Sequence, residues 1–276
     1  MCGRYVAVHS PRELAKEFDV VRITVEASME PDYNVAPTKP VLAVLTRERR
    51  AETDEEGGEG ARVPERQLRT LRWGLVPSWA KDPSIGNRLI NARVETAPDK
   101  PSFRKAFAKR RCILPALGFY EWEQVGAEDA GQEGGGKEGA GKGAKGGKPY
   151  KQPYFIHRPD DATLAMAGLY ELWRDPERER DDPDAWLWSA TVLTTQATDE
   201  AGRIHDRAPL LVPADAYDAW LDPEPPEDTD LRELLVPATT GMRADPVSTA
   251  VNNVRNNGPQ LIQPALEVPD RPVELR

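Results

Sequence analysis

The sequence predicts an α+β fold: a single domain with a large, mostly antiparallel, barrel-like β-sheet and flanking helices. Two observations carry this. Short runs rich in β-branched and aromatic residues, near 3–8, 40–46, 67–73, 111–115, 117–123, 153–158, 163–171 and 186–194, outnumber the helical patterns. The helical patterns, near 101–109, 198–204 and 213–221, do not alternate with the strands as parallel βαβ units would require. A length of 276 residues is ample for one well-filled core.

Taken in order, residues 3–8 read as a strand. Ser10-Pro11-Arg12-Glu13 then supplies an N-cap, a proline at the first helical position and a glutamate at the capping-box position, so a helix is expected to about Phe18. Residues 48–66, acidic and poor in apolar side chains, read as a flexible insertion between two strands. Residues 124–148 hold ten of the chain's 21 glycines and no aromatic residue. Such a stretch cannot bury enough apolar surface to offset its ordering entropy, and a second, longer flexible insertion is expected there. No internal repeat interrupts this order.

Composition narrows the function classes. The formal net charge of −9 argues, taken alone, against a nucleic-acid partner. The charge is unevenly spread, however. Acids concentrate in 51–65, 174–184 and 222–230, whereas residues 68–112 carry eleven Lys and Arg against Asp82, Glu95 and Asp99. No apolar run reaches the roughly 18 residues of a membrane span, and Met1-Cys2-Gly3-Arg4-Tyr5 is unlike a secretory signal. The expectation is a cytoplasmic protein with no membrane partner. Two cysteines and three histidines without ligand spacing predict neither a disulfide framework nor a metal site, and nothing calls for a cofactor.

Cys2 is the most informative residue. A small second residue permits removal of Met1, which would leave Cys2 with a thiol and an α-amine on adjacent carbons. Both groups are nucleophiles near neutral pH, with reference pKa values of about 8.5 and 7.7–8.0. Such a 1,2-aminothiol can condense with an aldehyde to an imine and close a thiazolidine ring. Alternatively the thiol attacks an acyl carbon with the amine as its base, or the cysteine is simply buried and inert. Cys112, inside the apolar run Arg111-Cys112-Ile113-Leu114, reads as a core thiol, and His9 and His157 as residues without a role.

Five further segments are dense in polar, aromatic and proline residues. They are Tyr33-Asn34-Val35-Ala36-Pro37-Thr38, Trp73-Gly74-Leu75-Val76-Pro77-Ser78-Trp79, Asn91-Ala92-Arg93-Val94-Glu95-Thr96, Gly118-Phe119-Tyr120-Glu121-Trp122-Glu123 and His205-Asp206-Arg207-Ala208-Pro209. Together with the opening Met-Cys-Gly-Arg-Tyr, this set resembles the SRAP family, the SOS response-associated peptidases or abasic-site processing proteins. The resemblance runs from residue 2 to about 257, leaving 258–276 as a C-terminal tail, and the two insertions fall inside it.

The resemblance implies a protein that captures abasic sites in single-stranded DNA, during the response to DNA damage, as a thiazolidine on the N-terminal cysteine. Carried onto this sequence, Cys2 would be the covalent nucleophile, and Asn91 and Arg93 would hold the sugar and adjoining phosphate. Glu121 would shuttle protons and His205 would assist at the sugar hydroxyl. The residues agree with that chemistry. On a strand, Glu121 faces away from Tyr120 and Trp122, and partial burial would raise its pKa toward neutrality, so that one carboxyl serves as acid and base. Trp73 is the expected base-stacking residue, Arg4, Arg72 and Arg104 the expected phosphate ligands, and Asn34 and Pro37 the expected pocket floor. The protein is expected to be a monomer, nucleoid-associated when on damaged DNA. The resemblance also implies a hydrolase-type self-removal of Met1 and leaves room for lyase activity at the lesion. The opening Met-Cys-Gly supports one alternative, an N-terminal-nucleophile peptidase or glutamine amidotransferase using Cys2.

Overall fold

The structure is a computed structural model, and it describes residues 2–25, 30–50, 62–125, 150–179, 181–197, 204–239, 241–265 and 273–274. The chain opens with β1 (Tyr5–Ala7), α1 (Pro11–Glu17), β2 (Arg22–Thr24), β3 (Asp32–Val35), β4 (Pro40–Arg50) and β5 (Arg62–Trp73). It continues through β6 (Asn91–Arg93), α2 (Arg104–Lys109), β7 (Arg111–Ala116), β8 (Gly118–Val125), β9 (Tyr150–His157) and β10 (Leu164–Arg174). The last elements are β11 (Trp186–Gln196), β12 (Arg207–Leu211), α3 (Tyr217–Leu221), β13 (Val236–Pro237), β14 (Arg243–Pro246) and β15 (Val273–Glu274).

These strands form two sheets rather than the one expected. The smaller runs β15-β14-β9-β8-β1-β3 and is antiparallel throughout. The larger runs β13-β12-β10-β7-β4-β5-β11-β6, with β2 also on β5 and with β11 also paired to β10 and β12. Its pairings therefore travel around a ring, β4 to β5 to β11 to β10 to β7 and back to β4. The ring is barrel-like but not a strict barrel, because β5 and β11 share only Arg72↔Ser189 and Trp73↔Ala190, in parallel.

Side-chain alternation gives the larger sheet two buried faces. On the inner face Val41, Ala43, Leu71, Trp73, Leu114, Met166 and Val192 meet Tyr5, Val35, Phe119 and Ile156 of the smaller sheet. On the outer face Leu42, Val44, Leu68, Ile113, Ala167 and Leu193 are covered by Leu14, Phe18, Phe103, Phe107 and Trp220 from the helices. Strands covered on both sides read as unbroken apolar runs. That is why Leu164–Tyr170 and Arg111–Ala116 show little polar alternation although they are strands.

The capping box predicted for α1 is present: Ser10 Oγ accepts from the Glu13 N–H at 3.3 Å, and Glu13 Oε2 accepts from the Ser10 N–H at 2.7 Å. Other expectations change. Residues 48–50 and 62–66, read as insertion, are strand, and the β4–β5 hairpin stays in register to Arg50↔Arg62; residues 51–61 lie outside the described ones. Charged side chains on a two-sided ribbon hide its strand character from sequence. The helix expected at 101–109 begins only at Arg104, and of the one expected at 198–204 only Ile204 is described. Of the glycine-rich 124–148, residues 126–148 are likewise outside. Residues 258–265 pack onto the domain through Leu261, which is 1% exposed.

Two local devices hold the frame. Gly74, just beyond β5, has φ of 116°, and a Cβ there would stand 2.5 Å from the Gly86 carbonyl oxygen, so no other residue fits without moving that backbone. Arg111 is 3% exposed and donates to the Trp220, Phe107 and Ala108 carbonyls at 2.8, 2.7 and 2.6 Å, and also to that of Asp222. It thereby satisfies the last carbonyls of both α2 and α3 from one point. Burial lowers its pKa to about 10, which leaves it charged at neutral pH. Arg111→Leu strands these carbonyls, and unfolding in urea is expected to show a loss of about 3 kcal/mol or more.

Candidate active site

The first residues of the chain feed β1 into the seam between the sheets. Cys2 is wholly buried, packed in the inner core with Tyr5 and Trp73. Its carbonyl accepts from Asn91 Nδ2 at 2.7 Å, which ties the chain start to β6, the edge strand of the larger sheet. Burial pushes the thiol well up from its ordinary value, and the negative charge of Glu121 adds to this; the positive charge of the amino terminus opposes it. Asn91 Oδ1 is buried and finds no hydrogen-bond partner among the described residues.

Glu121 lies on β8, 3% exposed, on the face opposite Tyr120 and Trp122, as the alternation predicts. Removal from water raises its pKa to about 7. The terminal ammonium lowers it and Asp206 raises it further. Glu121 shares a cavity of about 420 Å³ with Arg4, Trp122, Lys151, His205 and Asn252.

His205 supplies the second titratable group. Burial and the amino-terminal charge shift its pKa below the ordinary value. Its Nδ1 accepts from the Arg207 N–H at 3.0 Å and lies 2.9 Å from Asp206 Oδ1. These two contacts ask opposite things of one nitrogen. The lowered pKa favours the neutral ring, and Asp206 favours a proton arriving at Nδ1. Arg207, two residues on, is fixed by Glu95 Oε2 at 2.9 Å and the Thr194 carbonyl at 2.7 Å.

Arg4 and Asn34 form one unit. Arg4 Nη1 donates to Asn34 Oδ1 at 2.6 Å and to the Val251 carbonyl at 2.9 Å, and its guanidinium lies 5.8 Å from the Trp122 ring centre. Asn34 is fully buried, and its Nδ2 donates to the Val251, Asn253 and Asn256 carbonyls at 3.2, 3.0 and 3.0 Å. Every hydrogen-bonding atom of the Asn34 amide faces protein, so its role is to seat Arg4 and the 251–256 loop.

The remaining expected site residues are dispersed. Pro37 is half-buried in the turn Ala36–Lys39, where Thr38 has φ of 75° and donates its N–H to the Trp73 carbonyl at 2.8 Å. Trp73 is 0% exposed, edge-on to Tyr5 at 5.1 Å, with Nε1 donating to the Ile90 carbonyl at 3.0 Å. An indole so enclosed cannot stack on a base, and the expectation is corrected: Trp73 is core. Arg72 donates to the Gly74 carbonyl and to Asn87 Oδ1, bracing the loop after β5. Arg93 is exposed and shares the Asn91 side of β6. Arg104 is exposed on α2, whose Ala106 and Phe107 pack on the outer core, across the larger sheet from Cys2; it is not part of the cavity.

Trp122, Lys151 and Asn252 were not singled out from sequence as site residues. Trp122 Nε1 donates to Asn252 Oδ1 at 2.7 Å across 130 residues, and Lys151 arrives from β9 opposite Gln124. The asparagine-rich run Val251–Asn257 was the available signal for Asn252. Among the described residues no group of three or more His, Cys, Asp or Glu could hold a metal ion, and no helix is long and apolar enough to cross a membrane.

The Glu121 shift has a measurable consequence. Its folded pKa lies above the unfolded value of 4.5, so its contribution to stability falls as pH rises from about 4.5 to about 7 and then levels off. Glu121→Gln removes that penalty. Urea unfolding is expected to show the variant gaining about 2–3 kcal/mol more over the parent protein at pH 8 than at pH 4.

The arrangement can be set beside known proteins. A family profile described as SOS response associated peptidase (SRAP) matches residues 1–254. The abasic site processing protein YoqW of Bacillus subtilis is 33% identical over 264 residues, covering 95% of this chain and 99% of its own. The abasic site processing protein HMCES of Gallus gallus is 31% identical, over 87% of this chain and 68% of its own. A crystal structure of a Bacteroides thetaiotaomicron protein shares the fold, with a TM-score of 0.68 at 22% identity over 96% of this chain and 100% of that one. These matches, with Cys2 buried beside the cavity that Arg4 and Glu121 line, place the chain in the SOS response associated peptidase (SRAP) family.

Proposed function

We propose that this protein processes abasic sites in single-stranded DNA by forming a covalent thiazolidine link through Cys2, and so shields the lesion. The observation that carries the reading is Glu121, a carboxyl with a pKa near 7, beside the chain start in a cavity that also holds His205 and Arg4. The abasic-site activity in the names of YoqW and HMCES supports it.

The chemistry runs in balanced steps. While Met1 is present, the Cys2 nitrogen is an amide and not a nucleophile, so its hydrolytic removal comes first. Glu121, half-ionised near neutrality, is suited to act as the base for that hydrolysis. The hemiacetal of the abasic sugar opens as a proton leaves its C1′ hydroxyl and another reaches the ring oxygen. A neutral imidazole at His205 takes the first and the Glu121 carboxyl delivers the second. The Cys2 amine adds to the C1′ aldehyde, and water leaves as Glu121 protonates the departing hydroxyl. The Cys2 thiol then adds to the imine carbon, its proton passing to the imine nitrogen, and the five-membered ring closes. Asn91, already on the Cys2 carbonyl, has Oδ1 left for the sugar, and Arg93 beside it is exposed toward a phosphate. Arg4, seated by Asn34, supplies a second positive charge at the cavity.

The test is a denaturing gel of the processed protein with single-stranded DNA containing one abasic site. Wild type is expected to give a denaturant-stable adduct and Cys2→Ala none. Cross-linking by wild type is expected to be fastest near pH 7, between deprotonation of the amine and loss of the Glu121 proton. Glu121→Gln is expected to slow the rate by about 10²-fold and flatten the profile. An adduct that persists in Cys2→Ala, or a Glu121→Gln profile identical to wild type, would overturn the assignment. Intact mass spectrometry showing retained Met1 would do so as well.

A further inference from the structure

The inner face of the larger sheet extends beyond the smaller sheet that covers it. There the side-chain rows end in Arg47 on β4, Arg69 on β5 and Trp186 and Trp188 on β11. Trp188 stacks on Tyr170, ring centres 6.0 Å apart and 12° from parallel, and the guanidinium groups of Arg47 and Arg69 lie 4.9 and 4.3 Å from its ring centre. Arg22 and Arg49 flank this cluster and pair with the buried Glu65 at 2.7 and 3.4 Å. No carboxylate lies within ion-pair distance of Arg47 or Arg69 among the described residues. Trp186, two residues before Trp188 on the same face, is 47% exposed.

Like charges held this close repel, and here burial, with Arg47 and Arg22 nearby, lowers the pKa of Arg69. The aromatic stack offsets part of that cost through cation–π attraction. Glu65, the carboxylate whose charge reaches Arg69 through Gln67, is already paired with Arg22 and Arg49, so the two cations on the ring make a site for a further anion. An exposed indole beside them adds a flat apolar face. Paired cations and stacking rings together are the two components of single-strand nucleic-acid grooves.

We infer that Arg47, Arg69 and the exposed Trp186, the arginines seated on the Trp188–Tyr170 stack, form a second contact surface for single-stranded DNA, which grips the phosphate backbone of the strand running away from the lesion. Its position fits. Trp188, Ala190 and Val192 share one face of β11, and Val192 is in register with Asn91. Four residues of strand put the cluster about 13 Å from the level of Asn91, within reach of the same DNA strand. The inference rests on the DNA reading proposed above.

The test uses the full-length processed protein, Arg47→Ala/Arg69→Ala, and the charge-retaining Arg47→Lys/Arg69→Lys. Binding of a lesion-free single strand of about 20 nucleotides is measured against salt, where each lost phosphate contact lowers the slope by about 0.7. The alanine pair is expected to bind about tenfold more weakly at ~0.15 M salt with the slope reduced by about 1–2, and the lysine pair to recover most of the slope. Cross-linking to a trinucleotide with the abasic site at its centre, whose single nucleotide on either side is too short to reach the cluster, is expected to match wild type and reports that the variant is folded. An unchanged salt slope in a variant that still cross-links the trinucleotide overturns the second surface. Absence of any adduct from wild type overturns the DNA reading instead.

Discussion

A carboxyl group removed from water loses the hydration that stabilises its charge, and at Glu121 that loss outweighs the positive charge of the amino terminus. The rest of the site depends on this imbalance. Two sheets had to meet closely enough to exclude solvent from β8 on the Glu121 side, while Tyr120 and Trp122 pack on the other. The same enclosure raises the pKa of the Cys2 thiol and lowers that of His205. One dry seam thus brings a carboxyl and an imidazole toward each other on the pH scale, which is what paired acid–base work at neutral pH requires.

The seam is held by polar contacts between segments far apart in sequence. Asn34 binds three carbonyls of the 251–256 loop, Tyr120 Oη donates to the Tyr33 carbonyl at 2.8 Å, and Asn257 Oδ1 accepts from the Tyr33 N–H at 2.8 Å. Buried amides with every atom engaged define a single geometry, because any shift leaves a donor or acceptor without its partner. Arg4 therefore reaches the cavity as part of a fixed lattice and not as a flexible surface arginine. Lys39, which binds Asp32 Oδ2 at 2.6 Å and the Asn34 carbonyl at 3.1 Å, extends that lattice beneath β3.

Local signals in the sequence were reliable where local physics decides the outcome. The capping box at Ser10 and Glu13 and the two faces of β8 depend on spacing alone. The fold class followed from counting strand-like runs. The division into two sheets did not, because pairing partners such as Asn91 and Val192 are a hundred residues apart. Trp73 and Arg104 show the limit most clearly. An aromatic ring and a surface arginine are equally consistent with DNA contact and with scaffold, and only the burial of Trp73 and the side of the sheet under α2 separate the two. Lys151 and Asn252 carried no distinguishing neighbours; their place at the cavity follows from β9 pairing with β8 and from the Asn34 clamp.

The contacts between Arg4 and Val251, and between Asn34 and Asn256, also set an order in time. At about 5–20 residues per second, the ribosome needs some 12–50 s to pass from residue 4 to residue 251. Through that interval the carbonyls that Arg4 and Asn34 bind do not yet exist, so neither side chain has its full set of partners. The clamp that Arg4 and Asn34 make is therefore completed only after residues 251–256 have been made. The cavity that Arg4 and Asn252 line is finished with the same loop, so the site closes late although half of its clamp lies near the start of the sequence.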